Sequence, residues 1–205
     1  MTEISEKPFI EQLLKKDRTA FRQAIHQFQP AMRALAARIA GESIADEVVQ
    51  EAWIAMMRGL PTFEGRSSLK TWLLSIVANE AKMRLRKEKP SVSLDDMGGA
   101  DLPPRFDGAG KWLTPPARWE LTSPEEILTA SELNDCITAT VKSLPFLQAS
   151  TLQLREFEDL DFTEICNILN VTESNVRVLL HRARQNLYQV IEHFQATGEC
   201  RPCSN

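Results

Sequence analysis

Residues 161–187, DFTEICNILNVTESNVRVLLHRARQNL, predict two helices joined by a tight turn. The apolar positions Phe162, Ile165, Ile168, Leu169 and Val171, then Val176, Leu179, Leu180, Ala183 and Leu187, recur at threes and fours, the spacing of one buried helical face. Asp161 followed by Glu164 reads as a capping box. Asn170 stands where the first helix must stop, and Asn adopts left-handed backbone more readily than most residues. Thr172 is placed to cap the second helix. On the far side of that helix lie Ser174, Arg177, His181, Arg182 and Arg184. A helix-turn-helix with guanidinium groups facing outward fits a DNA major groove, where Arg reads guanine edges or holds phosphates. A helical hairpin with a merely solvated outer face fits the same pattern.

Working outward, Ser123-Pro124-Glu125-Glu126 is a helix start, with Ser at the cap and Pro at the first position. That helix is expected to run to about Ser143 and stop before Pro145. Residues 146–158 form the next, with Leu147, Thr151, Leu154 and Phe157 inward. Downstream, the second helix of the motif extends to about Phe194, and a short tail closes the chain. The tail holds Cys200-Arg201-Pro202-Cys203, a lone CxxC seven residues after His193. His193, Cys200 and Cys203 are candidates for a metal or redox site, but no fourth ligand lies near in sequence. An incidental pair is the other reading. Cys136 and Cys166 fall in predicted core helices, where cysteine behaves as a small apolar residue.

The whole chain has 205 residues, 43% hydrophobic and 25% charged, a globular composition. Helix formers dominate and alternating β-branched runs are few, so an all-α protein is expected. The formal charge is −4, which excludes a non-specific polycation; nucleic-acid contact must come from local patches. No opening apolar run reads as a signal peptide, and no run is long enough to span a bilayer. A cytoplasmic protein without membrane insertion is expected, and in that compartment the four cysteines are not expected to form structural disulfides.

In the first half, residues 1–8 read as a disordered lead and residues 9–14 start a helix. Asp17 caps the next, which carries Phe21, Ile25, Phe28, Met32, Leu35 and Ile39 and ends at Gly41. Pro30 predicts a kink or break at Gln29. Ser43 with Asp46 is expected to open a third helix through a carboxylate variant of the capping box. Val48, Val49, Ala52, Trp53, Met56 and Met57 are assigned inward, and Asp46, Glu47, Gln50, Glu51 and Arg58 outward. Such an acidic-amide stripe either docks a basic partner helix or is simply solvated. After Leu60-Pro61 and a loop at 62–67, Ser67 or Ser68 caps a long helix with Leu69, Leu73, Ile76 and Val77 inward. Trp72, Ser75, Asn79, Lys82 and Arg86, spaced at threes and fours, form a second stripe. Residues 66–89 carry seven basic side chains against two acidic ones. Rings that stack on bases, cations that track phosphates and an amide that reads a base edge suit single-stranded DNA. Trp72 as plain core is the alternative.

Residues 90–123 are rich in proline and glycine, with nine of the chain's nineteen, and lack a helical period, so they read as a linker. Residues 101–135 carry seven acids and three cations, which disfavours DNA contact. Phe106, Trp112 and Trp119 are large rings that should dock on this protein or a partner.

These parts in this order resemble a bacterial extracytoplasmic-function (ECF) RNA polymerase sigma factor. Residues 45–87, ADEVVQEAWIAMMRGLPTFEGRSSLKTWLLSIVANEAKMRLRK, are similar to sigma domain 2. Residues 144–187, LPFLQASTLQLREFEDLDFTEICNILNVTESNVRVLLHRARQNL, are similar to sigma domain 4. The resemblance implies two small helical domains joined by a flexible acidic linker. Domain 2 would span 1–89, the linker 90–123, domain 4 124–195, and the CxxC tail 196–205. It implies no enzyme and no cofactor. Instead, the chain would bind core RNA polymerase, direct it to promoters and promote melting, in a stress response. Asp46, Gln50 and Glu51 would meet the β′ clamp helices, and domain 4 the β flap. The loop with Phe63, Arg66 and Ser67, together with Asn79, would capture a flipped base of the −10 element. Trp72, Lys82 and Arg86 would support strand separation. Arg177, His181, Arg182 and Arg184, with Ser174 and Asn175, would lie at the −35 duplex. An anti-sigma factor would be a further partner. Two departures stand out: Asn170 where family members often have Gly, and Glu173-Ser174-Asn175 at the start of the recognition helix. The competing reading is a stand-alone helix-turn-helix transcriptional regulator, but the first half lacks the α/β pattern of a receiver domain.

Overall fold

The computed structural model describes residues 6–88 and 124–200. Among them the regular structure is helical and no strand occurs, which is the all-α class expected from the composition. The helices are α1 (Glu6–Leu14), α2 (Arg18–Ala40), α3 (Ala45–Gly59), α4 (Leu69–Glu88), α5 (Pro124–Ser143), α6 (Phe146–Leu152), α7 (Phe162–Leu169) and α8 (Glu173–Thr197). Short 3-10 turns at Glu42–Ile44 and Leu60–Thr62 flank α3, and a π turn at Gln153–Phe157 comes after α6. The helices gather into two compact units. One joins α1–α4 with Gln153–Val171, the stretch that holds the π turn and α7; the other joins α5, α6 and α8. Residues 124–195 therefore contribute to both units. The predicted linker with Phe106, Trp112 and Trp119, the cap at Ser123 and the tail residue Cys203 lie outside the described residues.

In the first unit α2, α3 and α4 pack against one another. Met32, Leu35 and Ala36 of α2, Val48, Ala52 and Met56 of α3, and Leu73, Val77 and Ala78 of α4 are buried together in its core. Asp17 caps α2 as expected, accepting from the amides of Thr19 (2.8 Å) and Ala20 (2.9 Å). Gly41, at φ 99°, ends the helix in backbone that side chains avoid.

Several expectations fail here. Pro30 does not break α2, which runs unbroken from Arg18 to Ala40. An interior proline costs about 3 kcal/mol, but burying each large apolar side chain gains roughly 1.5–3 kcal/mol. Phe28 and Met32 on either side of the exposed Pro30 are both buried. Ile25, one of the apolar residues of this helix, is exposed. The Ser43–Asp46 box does not form: Ile44 precedes α3 without a side-chain cap, and Asp46 is held by Arg33 instead. Met57, expected inward, is exposed. The helix of α1 already includes residues 6–8, which had read as part of the lead.

Residues 146–158 are not one helix. The π turn adds a residue to the repeat after Leu152 and rotates the next side chains out of phase with α6. Leu147, Thr151 and Leu154 stay buried, whereas Phe157 is turned out to 70% exposure. In α7 the capping box is complete. Asp161 Oδ1 accepts from the Glu164 amide (2.8 Å), and Glu164 Oε2 accepts from the Asp161 amide (3.1 Å). Ile165, Ile168 and Leu169 are buried, and Asn170 takes the left-handed conformation (φ 56°, ψ 53°).

In the second unit α8 is capped by Thr172 Oγ1, which accepts from the Asn175 amide (3.3 Å). Val176, Leu179, Leu180 and Ala183 are buried as the periodicity requires. The helix extends to Thr197, beyond its expected end, and stops at Gly198 (φ 72°). Gln148 and Asn186 join α6 to α8 by a 3.4 Å bond. The expectation of no structural disulfide is overturned. Cys136 on α5 is bonded to Cys200, because the chain beyond Gly198 brings the two Cα atoms to 5.6 Å, inside the span a disulfide can bridge.

Candidate nucleic-acid interface

The first unit presents two chemically different surfaces. On α3, Val48, Val49 and Ala52 face inward, which leaves Asp46, Gln50 and Glu51 together on the exposed side. Arg33 of α2 reaches across to Asp46 (3.0 Å) and Glu42 (3.2 Å). The Asp46 carboxylate, then Glu42, raise the Arg33 guanidinium above its ordinary value. Glu47, one position on, pairs with Arg84 of α4 (3.1 Å).

The second surface is the loop between α3 and α4, with α4 itself. Phe63 packs on Trp72 with ring centroids 4.7 Å apart and planes tilted by 36°. Gly59 lies close to the six-membered ring of the indole: a Cβ there would meet Trp72 Cζ2 at 3.2 Å. Trp72 thus meets both the end of α3 and the loop, and Phe63 packs on it. Ser68, not Ser67, caps α4, accepting from the Thr71 amide (3.0 Å). Arg66 Nε donates to Glu64 Oε2 (2.6 Å). Asn79 and Arg86 are exposed on α4, and Ser67 is half-buried in the loop.

Lys82 is placed differently from its neighbours on the stripe. It is half-buried, and its Nζ donates to the Leu169 carbonyl at the end of α7 (2.6 Å). A cation at a helix C-terminus meets the negative end of the helix dipole. Burial, and then the nearby Arg86, lower the Lys82 ammonium below its ordinary value. Two more side chains of α4 are engaged in the same way. Lys70 Nζ pairs with Glu158 Oε2 (2.8 Å) and donates to the Glu158 carbonyl (3.1 Å). Thr71 Oγ1 donates to Glu164 Oε1 (2.6 Å), so one carboxylate both completes the α7 capping box and ties α7 to α4. None of these contacts has a sequence signal, since the partners stand 87 to 93 positions apart.

In the second unit Ser174 and Arg177 are exposed on the first turns of α8, while Asn175, His181, Arg182 and Arg184 are half-buried. Arg177 Nη2 pairs with Glu173 one turn earlier (2.6 Å). His193 is half-buried farther along α8, and the sulfur of Cys200 is already bonded to Cys136. Among the described residues no three His, Cys, Asp or Glu side chains converge as a metal would need. Among the same residues no helix is long and apolar enough to cross a membrane.

Comparison with known proteins meets this geometry at both ends of the chain. The Sigma-70 region 2 family matches residues 24–90, and the Sigma-70 region 4 family matches residues 134–187. The ECF RNA polymerase sigma-E factor of Escherichia coli (strain K12) is 29% identical over 186 residues, covering 89% of this chain and 92% of that protein. This chain is an ECF sigma factor. As such it is a transcription initiation factor and not an enzyme, and the stand-alone regulator is not favoured. The sigma-E factor of Haemophilus influenzae (strain ATCC 51907 / DSM 11121 / KW20 / Rd) is 26% identical over 190 residues, covering 93% of this ECF sigma factor and 97% of its own length. Two solved structures share the fold. CnrH in complex with the cytosolic domain of CnrY has a TM-score of 0.58 at 17% identity, covering 93% of this chain and 99% of that one. The sigma factor RpoE in complex with the anti-sigma factor NepR from Bartonella quintana has a TM-score of 0.54 at 19% identity, with coverage of 84% and 96%.

Proposed function

We propose that this ECF sigma factor divides promoter recognition between the surfaces described above. Asp46, Gln50 and Glu51 dock on the β′ clamp helices of core RNA polymerase. The loop carrying Phe63, Arg66 and Ser67, with Asn79, captures a base extruded from the −10 element, while Trp72, Lys82 and Arg86 support strand separation. Ser174, Asn175, Arg177, His181, Arg182 and Arg184 read the −35 duplex, and the region 4 helices engage the β flap. Functional domain 2 spans 1–89, a linker 90–123, domain 4 124–195, and the tail 196–205. The protein works in the cytoplasm in a stress response, and an anti-sigma factor is a partner, as NepR is for RpoE of Bartonella quintana.

The observation that carries this reading is the pairing of α3 and α4. They pack side by side yet turn an acidic-amide face and an amide-basic face outward. Extruding a base costs a few kcal/mol. Exposed Asn79, close in sequence to a loop pinned by the Phe63–Trp72 contact, offers hydrogen bonds that offset the cost without first being ordered. Lys82 and Arg177 act by exchange, releasing the Leu169 carbonyl and the Glu173 carboxylate for DNA. With a net charge of −4 the chain leaves most phosphate contacts to the polymerase.

A Gln50→Ala, Glu51→Lys variant separates the two surfaces. It should lose co-purification with core polymerase and run-off transcription together. Wild-type binding to core by this variant would show that the α3 face is only solvated.

A further inference from the structure

We propose that Cys136 and Cys200 form a reversible redox-modification site that locks the end of α8 to α5, with a peroxide as the oxidant. Cys136 is only 2% exposed, set among Leu133, Val190 and Phe194 with Ile137 and Ile191 packed against them. Cys200 lies two residues past Gly198 and is exposed. The pair is therefore asymmetric: Cys200 belongs to an exposed stretch of chain, and Cys136 is shielded by the core of the second unit.

That asymmetry sets the order of events. The Cys200 thiol attacks hydrogen peroxide; the O–O bond breaks, and Cys200 sulfenic acid and one water form. The Cys136 thiol then attacks that sulfur. The S–S bond forms, the S–O bond breaks, and a second water leaves. Two thiols and one peroxide give one disulfide and two waters, a two-electron oxidation. A dithiol reductant reverses it by attacking the Cys200 sulfur, expelling the Cys136 thiol, and resolving the mixed disulfide with its own second thiol.

The bond closes a loop of 64 positions, which removes freedom from the unfolded chain. Without it, the apolar cluster of Leu133, Cys136, Val190 and Phe194 still packs the last turns of α8 on α5, but the covalent tie is gone. Redox state thus sets how firmly α5 holds α8, the helix that also carries Arg177, His181, Arg182 and Arg184.

The test uses the purified full chain, reduced with dithiothreitol and then treated with hydrogen peroxide. Non-reducing peptide mapping locates the bond, and circular dichroism tracks thermal unfolding of both forms. Wild type and Cys203→Ser should each form the Cys136–Cys200 link and melt about 10 °C higher when oxidised. Cys200→Ala, a change at an exposed position, should melt at one temperature in either condition. A link mapped to Cys200–Cys203, no link at all, a wild-type shift under about 2 °C, or a shift retained by Cys200→Ala would each overturn the proposal.

Discussion

Trp72 offers the sharpest test of how the loop at 63–68 is held, because its ring has two conceivable tasks. It could stack on melted bases, or it could brace Phe63. The geometry favours bracing: the indole meets Phe63 with ring centroids 4.7 Å apart, and it lies close enough to Gly59 that a Cβ there would approach Trp72 Cζ2 to 3.2 Å. Truncating a fully buried large aromatic costs about 3–5 kcal/mol. Trp72 is half-buried, so Trp72→Ala should cost roughly 2 kcal/mol by the same scale. The ring pair itself should contribute about 1 kcal/mol of that. Urea unfolding of wild type, Trp72→Ala, Phe63→Ala and the double variant, monitored by helical ellipticity, isolates the pair. The double variant should be less destabilised than the sum of the singles by about 1 kcal/mol. Promoter opening should fall in both single variants, and Trp72→Phe should recover most of both properties. Additivity within about 0.3 kcal/mol would refute the bracing argument. So would a Trp72→Ala variant of native stability that still fails to open promoters, since the ring would then act on DNA directly.

The same geometry sets three other outcomes. Asn79→Ala should slow promoter opening about tenfold, on the scale of one lost base contact, and leave core binding intact; unchanged run-off transcription would remove Asn79 from the −10 site. Arg177→Ala should lose about 1–3 kcal/mol at its preferred −35 base pair, measured as holoenzyme affinity across single-base variants; an equal loss on every sequence would mark a phosphate contact. Asp161→Ala should cost about 1 kcal/mol in urea unfolding by deleting the α7 cap, and a neutral result would show that the box contributes nothing net.

The features legible in the sequence were mostly local. Asp17, Asp161 with Glu164, Asn170 and Thr172 all act within one turn of themselves, and each sits in the cap or turn its chemistry predicts. The exposed stripe of Asp46, Gln50 and Glu51 was equally readable, since the period of a helix is fixed. Failures came where distant packing decides. Pro30 and Ser43 carry local signals that the three-helix core of the first unit overrides. Phe157 was misplaced because nothing in its neighbourhood announces a π turn. Lys82 was read as a solvent-facing cation, yet its partner carbonyl belongs to Leu169, 87 positions away. Cys136 and Cys200 are likewise invisible as a pair at a separation of 64.

The central claim is that this chain confers promoter choice on RNA polymerase while reading DNA poorly by itself. Transcription from a promoter library with bare core polymerase, with and without the purified chain, tests that most directly. Addition of the chain should create defined start sites downstream of a shared −10 and −35 pair, and the chain alone should bind the same duplexes only weakly. No defined start sites with core enzyme, or tight sequence-specific duplex binding by the chain without it, would contradict the claim.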